Sequence, residues 1–278
     1  VELKEFNQEK AHEKNLLIRL HDLAAEFFHQ KFLLDTKAQK ARDYLKARNI
    51  STETIAKFKL GFASSDKNEP KMLIKHLQSK VENLSEETIL RASLAYKTDD
   101  GNIIDRFRHR LMIPVFDERA RCIAFGARTL DEDFGPKYIN SAETDIYIKG
   151  DNLYGLDIAK EAIRKKDSVI LVEGFFDVIS LCQVGFDNIV ANQGTALTAN
   201  QIRKLSKYTL SKKIYLCFDT DQAGEKATDS AAQVIDQTLA QNEYELRVIR
   251  VPGGKDPDDY IKENSLEAFE KIVSEAPY

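Results

Sequence analysis

Cysteine is scarce in this 278-residue chain: Cys122, Cys182 and Cys217 lie far apart, with no C-x-x-C spacing. Their distribution excludes a zinc ribbon within the chain, argues against a disulfide scaffold, and points to a reducing, cytoplasmic setting. Cys182 and Cys217 sit in apolar runs, where a thiol serves as a small buried hydrophobe. Long apolar runs are absent too, none approaching the roughly 18 residues that a membrane span needs. The opening segment, Val1 to Lys14, is charged and shows no signal peptide, and a Val at position 1 reads as the start of a fragment. Also missing are the G-x-S-x-G nucleophile elbow and H-E-x-x-H. Gly253-Gly254-Lys255 lacks the spacing of a phosphate-binding loop and runs straight into Asp256-Pro257. The five histidines are scattered, and His21 and His29, in a helical stretch, read as solvated or packed.

What remains is an ordinary globular composition, 42% hydrophobic and 31% charged, large enough for one domain with a satellite or for two. A net charge of -4 does not announce a nucleic-acid binder. The charge is uneven, however. From Ile103 to Arg128 six arginines face three acids, a local balance of +3.

Leu16-Leu17-Leu20-Leu23-Ala24-Phe27-Phe28 recurs at helical spacing, and Ala38 to Asn49 repeats the pattern. Ser51 caps a helix over Glu53 to Lys59, with further short helices at Lys71 to Lys80 and Glu86 to Arg91. Beyond Asn102, Leu111 to Phe116 and Cys122 to Phe125 read as strands, and Phe134-Gly135-Pro136 as a loop. From Ser168 strands and helices alternate: strands at 169–172, 189–191, 214–218 and 246–251, helices at 177–184, 199–208, 223–240 and 265–274. Four such repeats imply an α/β fold, a parallel sheet flanked by helices, preceded by a smaller α+β subdomain.

The carboxylates of that alternation carry the chemistry. Glu173 follows the first strand with Asp177 one turn later; Asp219 and Asp221 follow the third; Asp256, Asp258 and Asp259 follow the fourth. In an open parallel sheet all carboxyl ends share one edge, where ligands bind. Taken singly, each group is also what a helix N-terminus favours. Three together repel: two carboxylates about 4 Å apart cost roughly 4 kcal/mol at an effective dielectric near 20. A hard divalent cation removes that cost, and a donor set without His or Cys suits Mg²⁺ or Mn²⁺ better than zinc. Asp259 reads as a helix-start acid.

At these residues the chain resembles the Toprim domain shared by primases and topoisomerases. The likeness rests on Val172-Glu173-Gly174-Phe175-Phe176-Asp177, Phe218-Asp219-Thr220-Asp221-Gln222-Ala223-Gly224 and Lys255-Asp256-Pro257-Asp258. Phe175 stands where Tyr is usual. Asp105-Arg106-Phe107-Arg108-His109-Arg110, Phe125-Gly126-Ala127-Arg128, Lys137-Tyr138-Ile139-Asn140-Ser141 and Lys149-Gly150 are similar to the basic motifs of bacterial-type DNA primases. The resemblance spans nearly the whole chain and divides it into a basic α+β subdomain, 1–150, and a Toprim-like catalytic domain, 151–278.

That resemblance implies DNA-templated RNA primer synthesis in DNA replication. Glu173, Asp177, Asp219, Asp221, Asp256 and Asp258 would hold Mg²⁺, with Mn²⁺ as substitute and no zinc. Catalysis would depend on Glu173, Asp219 and Asp221, with Glu173 either a ligand or a general acid or base. Arg106, Arg108, Arg128, Lys137 and Lys149 would contact phosphates, Tyr138 would stack or pack, and Asn140 would fix its loop beside the nucleic acid. Phe107 is expected in the core, on the opposite strand face from Arg106 and Arg108. Implied partners are single-stranded DNA and ribonucleoside triphosphates, with a replicative helicase and a zinc-binding module reached through regions outside a core expected to be monomeric. A Toprim nuclease, a topoisomerase fragment and a non-catalytic, metal-stabilised docking module are the alternatives.

Overall fold

The computed structural model describes residues 2–66, 68–131, 135–239, 244–254 and 256–277. Phe134 of the expected loop, Ala240 of the expected long helix and Lys255 lie outside them. Two compact units divide the chain: residues 1–116 with 121–148, and residues 117–120 with 149–278.

The first unit opens with α1 (Glu2–Leu34), α2 (Gln39–Ala47) and α3 (Thr52–Lys57), then β1 (Gly61–Ala63), α4 (Met72–Lys80) and α5 (Glu86–Arg91). Strands β2 (Ala95–Lys97), β3 (Ile103–Asp105), β4 (Arg110–Phe116), β5 (Cys122–Thr129) and β6 (Tyr138–Asn140) follow. The apolar stripe of α1 is the core side: Leu17, Leu20, Ala24 and Phe28 are buried, packed with Phe107, Met112 and Phe125. Ser51 and Ser85 cap α3 and α5 by accepting the N–H of Thr54 and Thr88, each at 3.1 Å. The four-stranded antiparallel sheet runs β1-β4-β5-β6, and β2 pairs with β3 apart from it. Pro114 is tolerated in central β4 because β1 pairs only as far as Met112, leaving β4 an edge beyond it.

The second unit alternates α6 (Leu156–Lys166), β7 (Ser168–Val172), α7 (Phe175–Gln183), β8 (Ile189–Ala191) and α8 (Ala199–Leu205). It continues through β9 (Lys213–Leu216), α9 (Gln222–Thr238), β10 (Glu245–Val248), α10 (Pro257–Glu263) and α11 (Leu266–Ser274). Its sheet is parallel, in the order β10-β9-β7-β8. Val169, Leu171, Ile214 and Leu216 fill one core with Ile163, Ile202 and Ile235 from the covering helices.

The expected helices and strands are present, with boundaries that move by a few residues. Strand β9 stops at Leu216 rather than Phe218, and α8 at Leu205 rather than Tyr208. Sequence patterning did not disclose β1, β2, β3, β6, α6 or α10. Phe107 is 1% exposed, as expected of core, but for another reason than strand alternation. It lies between β3 and β4, packed edge-on against Phe28 and Phe125 at 6.4 and 5.9 Å. All three cysteines are buried and free, and His21 is fully buried. Among the described residues no helix is long and apolar enough to cross a membrane.

Candidate metal centre and basic surface

The segments after β7, β9 and β10 carry acids to the carboxyl rim, whereas β8 is followed by Asn192 and Gln193. Glu173 follows β7 directly, and its Oε1 accepts the N–H of Asp219 at 3.3 Å, joining the ends of β7 and β9. Asp221 is the N-cap of α9 and accepts the N–H of Gly224 at 2.8 Å. Gly224 is dictated by this turn: a Cβ there would lie 2.0 Å from the carbonyl oxygen of Asp219. Asp256 is the N-cap of α10 and accepts from Asp259 N–H at 2.6 Å. Asp177, in the first turn of α7, accepts the N–H of Gly174 at 2.9 Å. Helix-terminus chemistry thus accounts locally for Asp177, Asp221 and Asp256, yet it does not keep the groups apart.

The carboxyls of Glu173, Asp177, Asp219 and Asp256 are all shifted in the direction that burial and like-charged neighbours impose. Burial pushes the Glu173 carboxyl above its ordinary range, and Asp219 adds to the effect. Asp219 is raised by burial and then by Asp256 and Asp221. Asp256 is raised by burial, opposed by its bond from Asp259. Asp177 is pushed well above the carboxylate range by burial and then by Asp256. Asp256, Asp258 and Asp259 each offer an oxygen within 4.8 Å of the others. Asp259, read from sequence only as a helix-start acid, is therefore part of the group.

Two of the six acids, Asp177 and Asp258, have both carboxylate oxygens engaged by protein partners. Asp177 uses its second oxygen to accept the N–H of Asp258 at 3.3 Å. Asp258, 2% exposed, accepts from the Ser180 hydroxyl through Oδ1 and from Lys262 Nζ through Oδ2 at 2.7 Å. Lys262 was missed because recognising it requires α10, whose register places it one turn beyond Asp258.

The remaining donors fit a hard divalent cation. They are carboxylates only, no histidine occurs after residue 109, and burial raises the thiol of neighbouring Cys217 far from thiolate formation. A pocket of about 250 Å³ beside Asp219 is lined also by Thr220, Thr228 and Arg250. Phe175, without the usual hydroxyl, is buried edge-on against Tyr154 at 4.8 Å.

In the first unit β6 organises the basic residues. Tyr138 and Asn140, two apart on one strand, share a face. Arg128, the cross-strand partner of Tyr138, donates to its hydroxyl at 2.9 Å. The Arg128 guanidinium also lies over the rings of Tyr138 and Tyr44, 5.2 and 4.9 Å from their centroids. Arg106 donates to the carbonyl of Asn140 at 2.9 Å. Arg108 is held by Tyr96, with a 2.8 Å bond to the hydroxyl and a ring contact at 5.5 Å. Lys137 is exposed and lines a pocket of about 510 Å³ with Arg128, Tyr44 and Asp131. Lys149 belongs to the second unit, where its carbonyl accepts from Gln201 at 3.4 Å. The tyrosine clasps, Tyr44 and Tyr96, were not legible in sequence, for nothing local marks them.

Two family patterns match. Residues 27–160 fit the N-terminal domain of the DNA primase catalytic core, and residues 170–261 fit the Toprim-like family. A solved DnaG primase catalytic domain bound to single-stranded DNA superposes with a TM-score of 0.83 at 34% identity, covering 96% of this chain and 80% of that one. The chain belongs to the DNA primase catalytic-core family. The RNA polymerase domain of Mycobacterium tuberculosis primase gives a TM-score of 0.85 at 30% identity, covering 94% of this chain and 84% of that one. Among curated relatives, the DNA primase of Synechococcus elongatus is 38% identical over 263 residues, 93% of this chain and 37% of that protein. For the Aquifex aeolicus DNA primase the figures are 38% over 257 residues, 91% and 48%. The chain thus spans less than half the length of these two primases.

Proposed function

We propose that this chain is the nucleotidyl-transfer core of a primase, joining ribonucleotides on a single-stranded DNA template to make primers for DNA replication. The observation that carries the proposal is the meeting of three strand-end acidic groups at one rim, with carboxyls raised by burial and like charge, in a member of the primase core family. Glu173, Asp219, Asp221 and Asp256 would hold Mg²⁺, or Mn²⁺ in its place, with Asp177 and Asp258 completing the acidic group behind them. Bound there, the cations would lower the pKa of the attacking 3′-hydroxyl and neutralise triphosphate charge. Glu173 and Asp219 keep their oxygens on adjacent strand ends, and Gly224 lets the Asp219 turn close tightly, so ligand placement is fixed before substrate arrives.

Arg106, Arg108, Arg128, Lys137 and Lys149 would contact template or nucleotide phosphates. Tyr138 orients Arg128, and Asn140 anchors Arg106 beside them, which supports assigning both to the nucleic-acid surface. On this reading the first unit supplies Arg106, Arg108, Arg128 and Lys137, and the second supplies Lys149 and the metal centre. A helicase and a zinc-binding module would be met through other parts of the whole protein, in the cytoplasm, with the core itself monomeric.

The test uses single-stranded template, NTPs and Mg²⁺. The chain should form template-dependent dinucleotides, and Asp219→Ala should lower the rate at least roughly 10³-fold, on the order of 4 kcal/mol of transition-state stabilisation, with its circular dichroism unchanged. Normal product from Asp219→Ala removes the metal assignment. Shortening of labelled DNA with Mg²⁺ and no NTPs replaces primase by nuclease.

A further inference from the structure

Helix α10 carries a cation of its own. Lys262 follows Asp258 by four residues and Asp259 by three, so all three side chains fall on one helical face. Its Nζ lies 2.7 Å from Asp258 Oδ2 and 2.8 Å from Asp259 Oδ1. These are two of the three carboxylates whose spacing would suit one metal ion. The ammonium is not a loose surface partner, since the Lys262 side chain is 19% exposed and that of Asp258 only 2%. On its other side Asp258 accepts the hydroxyl of Ser180 on α7, and its backbone N–H donates to Asp177, also on α7.

We infer that Lys262 is a built-in counter-ion. Its ammonium holds Asp258 and Asp259 in the place of a divalent cation and confines the bound ions to Glu173, Asp219, Asp221 and Asp256. Asp177, Ser180 and Asp258 then form a latch between α7 and α10 that positions Asp256, the N-cap of the same helix. The inference rests on reading the rim as a divalent-cation site. Its physical basis is that a buried carboxylate left without its partner is strongly destabilising unless another cation replaces it. An ammonium tethered within the helix neutralises one charge permanently, at any metal concentration. Lys262 is thus a positioning residue, acting on the ligands rather than on substrate.

The experiment counts Mn²⁺ bound to the whole chain by the electron paramagnetic resonance of free Mn²⁺, alongside thermal melts with and without Mn²⁺. Lys262→Met should bind one ion more than the wild type, melt lower in chelator, and recover more of its melting temperature on adding Mn²⁺. Lys262→Arg should keep the wild-type count. Asp258→Asn should also keep that count while melting lower, because the latch loses charge but the rim loses no ligand. With normal binding by the wild type, an unchanged count in a folded Lys262→Met, or one ion lost in Asp258→Asn, overturns the counter-ion role alone. A wild type that binds no Mn²⁺ overturns the rim reading and this inference with it.

Discussion

The two units both bury charge, and they treat it in opposite ways. In the first, the half-buried guanidinium groups of Arg106, Arg108 and Arg128 donate to neutral acceptors. Arg106 donates to the carbonyl of Asn140, and Arg128 and Arg108 donate to tyrosine hydroxyls. In the second, the carboxyls of Glu173, Asp219 and Asp256 are raised by burial first and by neighbouring carboxylates after it. A charge whose hydrogen bonds are met by neutral groups is positioned without being cancelled, and it can still meet phosphate. Carboxylates concentrated against one another are strained, and the strain is relieved only by protons or a cation. The difference separates a surface that orients nucleic acid from a rim that holds metal.

The sharpest way to break this contrast is to remove divalent ions. The folded-state pKa values of Glu173, Asp177, Asp219 and Asp256 are all raised. The native state therefore binds protons more readily than the unfolded chain. Stability from these groups is present in acid and lost as pH rises through their folded pKa values. In chelator the second unit should weaken as pH rises above the ordinary carboxylate range of about 4, read as faster amide exchange in β7 and β9. Saturating Mg²⁺ should reverse the trend, by about 4 kcal/mol at a thousand-fold excess over Kd. Asp219→Ala in chelator should melt above the wild type. Exchange that ignores both pH and Mg²⁺ would mean the acids do not share a cation.

How much of this could be seen in the sequence follows from what each feature requires. The rim was legible because β7, β8 and β9 are apolar runs bounded by turns, and parallel topology alone sends Glu173 and Asp219 to one edge. Strands β1, β2, β3 and β6 were not, since three residues cannot display a period of two. Their pairing is decided by β4, β5 and one another. The stack of Tyr44, Arg128 and Tyr138 joins β5 and β6 to α2, which no local pattern announces. Lys262 was hidden for want of α10: without a helix, an i+4 relation to Asp258 has no meaning.

The first unit has its own acid response, with the opposite sign. His21 is fully buried, stacked on Phe125 with ring centroids 5.9 Å apart, and its Nδ1 is paired with the Leu17 carbonyl at 2.8 Å. Burial lowers its pKa from 6.5 to about 4. Because the folded value is depressed, the unfolded chain binds the extra proton. Stability is complete above pH 6.5 and falls as pH drops toward 4, by roughly 3 kcal/mol at most. Denaturant titrations of His21→Phe should lose this slope while the rise of the second unit in acid persists. A slope that survives the substitution would place the acid sensitivity elsewhere.

The smallest effect tests whether a basic residue of the first unit meets nucleic acid at all. Lys137 is exposed and lines the pocket beside Arg128, so as a structural charge it contributes almost nothing. As a phosphate contact it would release one counter-ion on binding single-stranded DNA. Lys137→Ala should then reduce the slope of log K against log salt by roughly 0.7. Across a four-fold change in salt that is about 0.4 in log K, or about 0.6 kcal/mol, within reach of fluorescence anisotropy titrations. Arg106 supplies the contrast, since its bond to Asn140 ties it to β6. Arg106→Ala should change both slope and melting temperature, whereas Lys137→Ala should change the slope alone. A Lys137 variant with the wild-type slope would return that residue to the solvated surface and leave the arginines as the phosphate-binding groups.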